Sequence, residues 1–173
     1  MGSTGVQRKW QEIAEMTARS VMTDSVVSVS PEASLLDVLR LFVEEDIHGA
    51  PVIGEDGELA GVISTSDLLR AEEDEHDTAS AAADYLRDLL EFSVPDSSGA
   101  LTDFQDRLAQ RIVADVMTTS FASVSSDAPV AQVARCLREN RIHRVWVVDQ
   151  GRLGGVVSAL DLMAVVERAG AEG

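Results

Sequence analysis

Two short motifs place a hydroxyl and a carboxylate three residues apart at the start of a helix-like run: Ser64-x-x-Asp67 and Ser158-x-x-Asp161. Such a pair fits a capping box, with the serine capping the helix and the aspartate at the positive end of its dipole. The same spot offers free backbone N–H groups, a natural anion site, and a carboxylate that suits a vicinal diol. The two roles are compatible. A histidine precedes each motif, His48 and His143, and the second is followed by Arg144, whose guanidinium can grip a phosphate through two hydrogen bonds. Arg135, Arg138, Arg141 and Arg144 recur every third residue. The helical members read as a solvated face with ordinary ion pairs, for instance to Glu139, whereas Arg144 lies past the helix end.

Other chemistries find little footing. Neither histidine has the partners of a zinc site, and both read first as polar packing residues. The acidic run at 72–77 lacks the glycine and spacing of a calcium loop and reads as a solvated linker. The only lysine is Lys9, so there is no phosphate loop. No Gly-x-Ser-x-Gly elbow and no catalytic carboxylate pair stands out. No residue is assigned a catalytic or metal-binding role. Trp146 reads as packing within a strand. Cys136, the one cysteine, excludes an internal disulfide, suits a reducing cytosol, and sits on an apolar helix face as a packed thiol.

The elements that must position these residues occur twice. Val21-Met22-Thr23 recurs as Val116-Met117-Thr118 and Ile47-His48 as Ile142-His143, 95 residues later; Gly61-Val62-Ile63-Ser64 recurs as Gly155-Val156-Val157-Ser158, 94 residues later. The lost residue falls in a turn between Ile53 and Gly57. Two copies of one folding unit follow, with two equivalent sites and a function expected where the copies meet. In the first copy, Ser25–Val29 reads as a strand. A helix capped by Ser34 carries the stripe Leu35, Val38, Leu39 and Phe42. Ala50–Ile53 and Leu59–Ser64 form a hairpin around Gly54–Gly57, and a last helix begins within 64–67. The second copy repeats this with a strand over Ser120–Val124, a helix striped by Val130, Val133, Ala134 and Leu137, a hairpin of Arg144–Val148 and Leu153–Val157, and a helix over Leu160–Arg168. A lead helix is predicted over 6–17, with Val6, Trp10, Ile13 and Ala14 on one face. The long connection predicts helices over Ser80–Phe92 and Thr102–Ala114, separated by a loop at Ser93–Gly99.

The chain has 173 residues, 45% of them apolar, and a formal net charge of −16. That charge argues against general nucleic-acid binding. No apolar run is long enough to span a bilayer, and the N-terminus resembles neither a signal peptide nor a myristoylation site. A cytoplasmic protein without membrane association is expected. The charge is uneven: residues 18–70 hold 10 acids and 3 bases, 71–111 hold 11 and 3, and 112–163 hold 5 of each. The second copy therefore repels a phosphate least.

The β-α-β-β-α unit, the Val-Met-Thr ahead of its strand, and the Gly-hydrophobic-hydrophobic-Ser-x-x-Asp at its end resemble the CBS domain, named for cystathionine β-synthase. The tandem resembles a Bateman module. The resemblance covers both copies and implies an α/β fold of tandem CBS repeats packed as one pseudo-twofold module. The chain then divides into a helical lead (1–17), the first repeat (18–70), an acidic, partly helical insert (71–111), the second repeat (112–166) and a tail (167–173). The family implies regulation rather than catalysis, with an adenine nucleotide (AMP, ADP or ATP, with or without Mg2+) as ligand and no required cofactor. The alternatives are a sensor of S-adenosylmethionine or a cyclic dinucleotide, and an interaction module with empty clefts. Carried over by motif, Asp67 and Asp161 would hold the ribose, and Ser64 and Ser158 would face the phosphate. Thr23 to Val27 and Thr118 to Ala122 would border the adenine, and His143 and Arg144 would contact phosphate. His48 is followed by Gly49 rather than arginine, which predicts two unequal sites. A homodimer and a separate effector protein are implied as partners.

Overall fold

The computed structural model describes residues 3–73 and 99–170. The helix expected over Ser80–Phe92, the loop that follows it and most of the acidic run lie outside the described residues. The chain forms two compact units that do not follow its linear order. The central unit is Val27–Phe121, and the terminal unit joins Met1–Val26 to Ala122–Gly173.

In the central unit, helix α3 (Leu35–Glu44) starts where the sequence predicts. Ser34 Oγ accepts from the Asp37 N–H at 3.1 Å and donates to Asp37 Oδ2 at 2.7 Å. Leu35, Val38, Leu39 and Phe42 are all buried, as an apolar stripe at this spacing requires. Strands β1 (Gly49–Ile53) and β2 (Leu59–Ser64) pair antiparallel with Gly49 opposite Ser64. Gly57 closes their turn at φ 79°, a conformation that glycine adopts without strain. Helix α4 (Thr65–Glu73) follows directly. Leu68, Leu108 and Val113 complete the core.

The terminal unit contains α1 (Ser3–Glu15), α2 (Ala18–Val21), β3 (Ser123–Val124), α6 (Val130–Asn140), β4 (Arg144–Asp149), β5 (Arg152–Ser158) and α7 (Ala159–Gly170). Helix α5 (Gly99–Gln110) belongs to the central unit. The terminal sheet runs β3-β4-β5, with β3 parallel and β5 antiparallel to β4. Ala18, Val133, Val145, Val147 and Val157 form its core. Trp146 is buried and therefore packs as expected, and Cys136 sits partly buried against the core.

Each copy lends its leading segment to the other copy's unit. The Val130 N–H donates to the Met16 carbonyl and the Ala18 N–H to the Ala128 carbonyl, while the Leu35 N–H donates to the Arg111 carbonyl and the Val113 N–H to the Ala33 carbonyl. Thr23 bridges Val156, and Thr118 bridges Val62. The residues just before each first strand therefore close the sheet edge of the opposite copy.

Several expected elements change for this reason. The strand over Ser25–Val29 reduces to one parallel bridge, Val29 to Val52, and that over Ser120–Val124 shortens to Ser123–Val124. The chain passes from one unit to the other at Val26 and again at Phe121, so continuous pairing stops there. The helix expected over Thr102–Ala114 spans Gly99–Gln110 instead. Ile112 leaves it to bridge Ser34, and a 3-10 turn covers Val113–Asp115. The lead helix ends at Glu15, and its apolar face is not buried throughout: Trp10 and Ala14 are exposed and Ile13 is half-buried. Ala134, placed on the core stripe from sequence, is exposed, while Val130, Val133 and Leu137 are buried.

Candidate functional site

The end of each second hairpin strand turns straight into a helix, and the serine–aspartate motif lies at that junction. In the terminal unit, Asp161 Oδ2 accepts from the Ser158 N–H and from the Ser158 hydroxyl, both at 2.7 Å. The Asp161 N–H donates back to Ser158 Oγ at 3.2 Å. In the central unit, Asp67 Oδ2 accepts from the Ser64 N–H at 2.8 Å and from the Ser64 hydroxyl at 2.6 Å. The aspartate's half of the capping box is thus present in both copies, and the return bond to the serine hydroxyl is seen in the terminal unit. Each serine hydroxyl is committed to its aspartate, and a phosphate-side role would require it to turn away.

The two carboxylates differ at their other oxygen. Arg70 donates from Nη2 to Asp67 Oδ1 at 3.0 Å. The position matching Arg70 in the second copy is Ala164. Among the described residues, Asp161 Oδ1 has no such cation. Asp67 is buried accordingly, whereas Asp161 is half-buried.

Arg144 opens β4 opposite Ser158 in register, and its side chain is exposed. Gly49 holds that place opposite Ser64. His143 and His48 have exposed side chains; their carbonyls accept from the Ala159 N–H at 2.9 Å and the Thr65 N–H at 3.1 Å, anchoring the start of each helix. Left-handed residues set both histidines up, Arg141 at φ 54° and Asp46 at φ 51°. Thr23 is exposed and Thr118 half-buried.

The structure brings Thr23, His143, Arg144, Ser158 and Asp161 into the terminal unit, and Thr118, His48, Ser64 and Asp67 into the central one. The linear repeat instead groups Thr23 with Ser64 and Asp67. Gly155 and Gly61 make room for the exchange. A Cβ on Gly155 would lie 2.6 Å from the Thr23 carbonyl oxygen and 3.0 Å from Met22 Sδ; one on Gly61 would lie 3.0 Å from the Thr118 carbonyl oxygen and 2.9 Å from Met117 Sδ. The repeated glycines therefore serve close backbone approach. Sequence reading missed Arg70, although aligning the copies sets it against Ala164.

A second polar cluster ties the terminal unit together. Buried Ser126 donates its N–H to Asp149 Oδ1 at 3.0 Å, and Arg19 Nη2 donates to Ser126 Oγ at 2.6 Å. The Ser126 hydroxyl and N–H hold the Asp149 carboxyl below its ordinary range, outweighing desolvation, with Arg19 assisting. Among the described residues, no group of three His, Cys, Asp or Glu side chains is placed to hold a metal ion. No described helix is long and apolar enough to cross a membrane.

Comparison with known proteins gives the same repeat. The CBS domain model matches residues 18–74 and 113–168. An uncharacterized protein of Methanocaldococcus jannaschii is 31% identical over 152 residues, covering 86% of this chain and 89% of the relative. Chloroplastic CBSX2 of Arabidopsis thaliana is 31% identical over 137 residues, 75% of this chain, and this chain spans about half of that protein, 54%. The crystal structure of CBSX2 in complex with AMP aligns over 88% of this chain and 96% of that one, with a TM-score of 0.62 and 27% identity. The CBS domain of a membrane protein from Sphaerobacter thermophilus aligns over 92% and 93%, with a TM-score of 0.65 and 25% identity.

Proposed function

Because the chain belongs to the CBS domain family, as a pair of repeats, we propose that it is a regulatory, non-catalytic sensor of an adenine nucleotide, AMP, ADP or ATP. The observation that carries this reading is the state of Asp161. Its Oδ2 is fixed by Ser158, while among the described residues Oδ1 has no cation partner. That oxygen can accept from the two hydroxyls of a ribose. Arg144, registered opposite Ser158, supplies an exposed guanidinium for the phosphate. Thr23, held against Val156 by two backbone bonds of 2.9 Å, brings the segment that would border the adenine into the same unit. CBSX2, a relative of similar fold, is crystallised with AMP, which supports the ligand class.

Binding regulates only when two states of the protein hold the nucleotide with different affinity. The output passes to a separate effector protein in the cytoplasm. The chain works as a homodimer, paired through α7. Leu160, Met163 and Val166 fall within about a third of that helix's circumference and are 74%, 66% and 57% exposed. The matching positions of the first copy are Ser66, Leu69 and Glu72, so the apolar arc is peculiar to the second copy. A second copy of this chain is the fitting occupant on charge grounds. Residues 112–163 are neutral within a chain of net charge −16, so pairing there opposes the least like charge.

Thermal-shift titration with AMP, ADP, ATP, S-adenosylmethionine and cyclic di-AMP tests the ligand, since a ligand bound only by the folded state raises Tm. A shift with an adenine nucleotide that Arg144→Ala abolishes supports the proposal. A shift with S-adenosylmethionine alone, surviving Arg144→Ala, makes the chain a sulfonium sensor. No shift with any ligand leaves an interaction module.

A further inference from the structure

Arg70 and Ala164 stand at the same place in the two copies, three residues after the motif aspartate. From this difference we infer that Arg70 is an internal occupant of the first copy's carboxylate, so that each chain takes one nucleotide, at Asp161, while the Asp67 site is held shut. The inference rests on the nucleotide reading above and goes beyond it by fixing which site is open and which residue closes the other.

Asp67 Oδ2 already accepts from the Ser64 N–H and hydroxyl, and Oδ1 accepts from Arg70. A ribose diol reaching Asp67 would exchange a charge-assisted donor for neutral hydroxyls, an unfavourable trade. It would also meet a carboxylate whose side chain is only 5% exposed. Asp161 has the same Ser158 bonds and, among the described residues, no competing guanidinium, so a diol there displaces no charged donor. The phosphate end tells the same way, because the central unit has Gly49 where the terminal unit has Arg144. The Arg70 side chain is itself 65% exposed. It is therefore a removable competitor and not part of the core.

The test is calorimetric titration of the full chain with AMP, and with ADP and ATP in parallel, read as stoichiometry and affinity. The wild-type chain is expected to bind one AMP. Arg70→Ala is expected to add a second, weaker site. Ala164→Arg is expected to weaken AMP binding at the Asp161 site by about tenfold or more, whereas the uncharged Ala164→Gln should weaken it far less. Two sites in the wild-type chain would overturn the inference. So would one site in Arg70→Ala; that variant decides the matter even if Ala164→Arg fails to fold. No binding of AMP, ADP or ATP by the wild-type chain or by Arg70→Ala would overturn the nucleotide reading itself, an outcome distinct from one site in both.

Discussion

Thr23 and Val156 exchange two backbone hydrogen bonds, each of 2.9 Å, although one residue belongs to the first sequence repeat and the other to the second. Val62 and Thr118 do the same in the opposite sense, also at 2.9 Å. Each copy's leading Val-Met-Thr is thus the edge of the other copy's sheet. Neither repeat, cut out as a contiguous stretch, carries all the backbone partners of its own hairpin.

Gly155 is where this exchange is most exposed to mutation. Gly155→Ala sets a methyl 2.6 Å from a backbone carbonyl, which cannot rotate aside. It should destabilise the chain by about 1–3 kcal/mol, as overpacking does. Gly61→Ala should cost less, because its nearest clash is the flexible thioether of Met117. Denaturant unfolding of the two variants checks the order. Equal stability of Gly155→Ala and wild type would contradict the close approach.

Asp149 sets a pH dependence. Its carboxyl is held below the ordinary aspartate value by Ser126, so the folded state favours the charged form. The resulting stability is fully present above the unfolded pKa, about 3.9, and is lost as pH falls through the lower folded value. Asp149→Asn should lower Tm at neutral pH, and the gap from wild type should shrink below about pH 4. A gap that stays constant from neutral to strongly acidic pH would contradict the assigned role of the charge.

Much of the fold was legible because the strongest signals are local. Ser34 caps the helix that its spacing from Asp37 predicts, and Leu35, Val38, Leu39 and Phe42 bury the face their period defines. The two hairpins were legible from their turns. The exchange of leading segments was not, because backbone pairing between Thr23 and Val156 carries no side-chain pattern at either residue. Ile112 illustrates the same limit: its helical spacing from Leu108 is overridden by pairing with Ser34. At the candidate site, Asp67, Asp161 and Arg144 could be found from motif and repeat. The Arg70 contact could not, since an arginine three residues after an aspartate on a helix is an ordinary surface pattern until its partner proves buried.

The α7 arc makes the assembly testable. Leu160→Glu with Met163→Glu should convert a dimer to monomer in light scattering while far-UV circular dichroism stays unchanged, because both side chains are exposed in the single chain. A dimer that survives the double change would place the interface elsewhere.

The proposed function turns on Asp161 holding an adenine nucleotide. Calorimetric titration of AMP, ADP and ATP into the wild-type chain and into Asp161→Asn, a variant that keeps an oxygen to accept from Ser158 and so preserves the cap, tests this. Saturable binding by the wild type, weakened about tenfold or more in Asp161→Asn at unchanged Tm, is the predicted result. Equal binding by both proteins, or no binding of any of the three by the folded, nucleotide-free wild type, would contradict it.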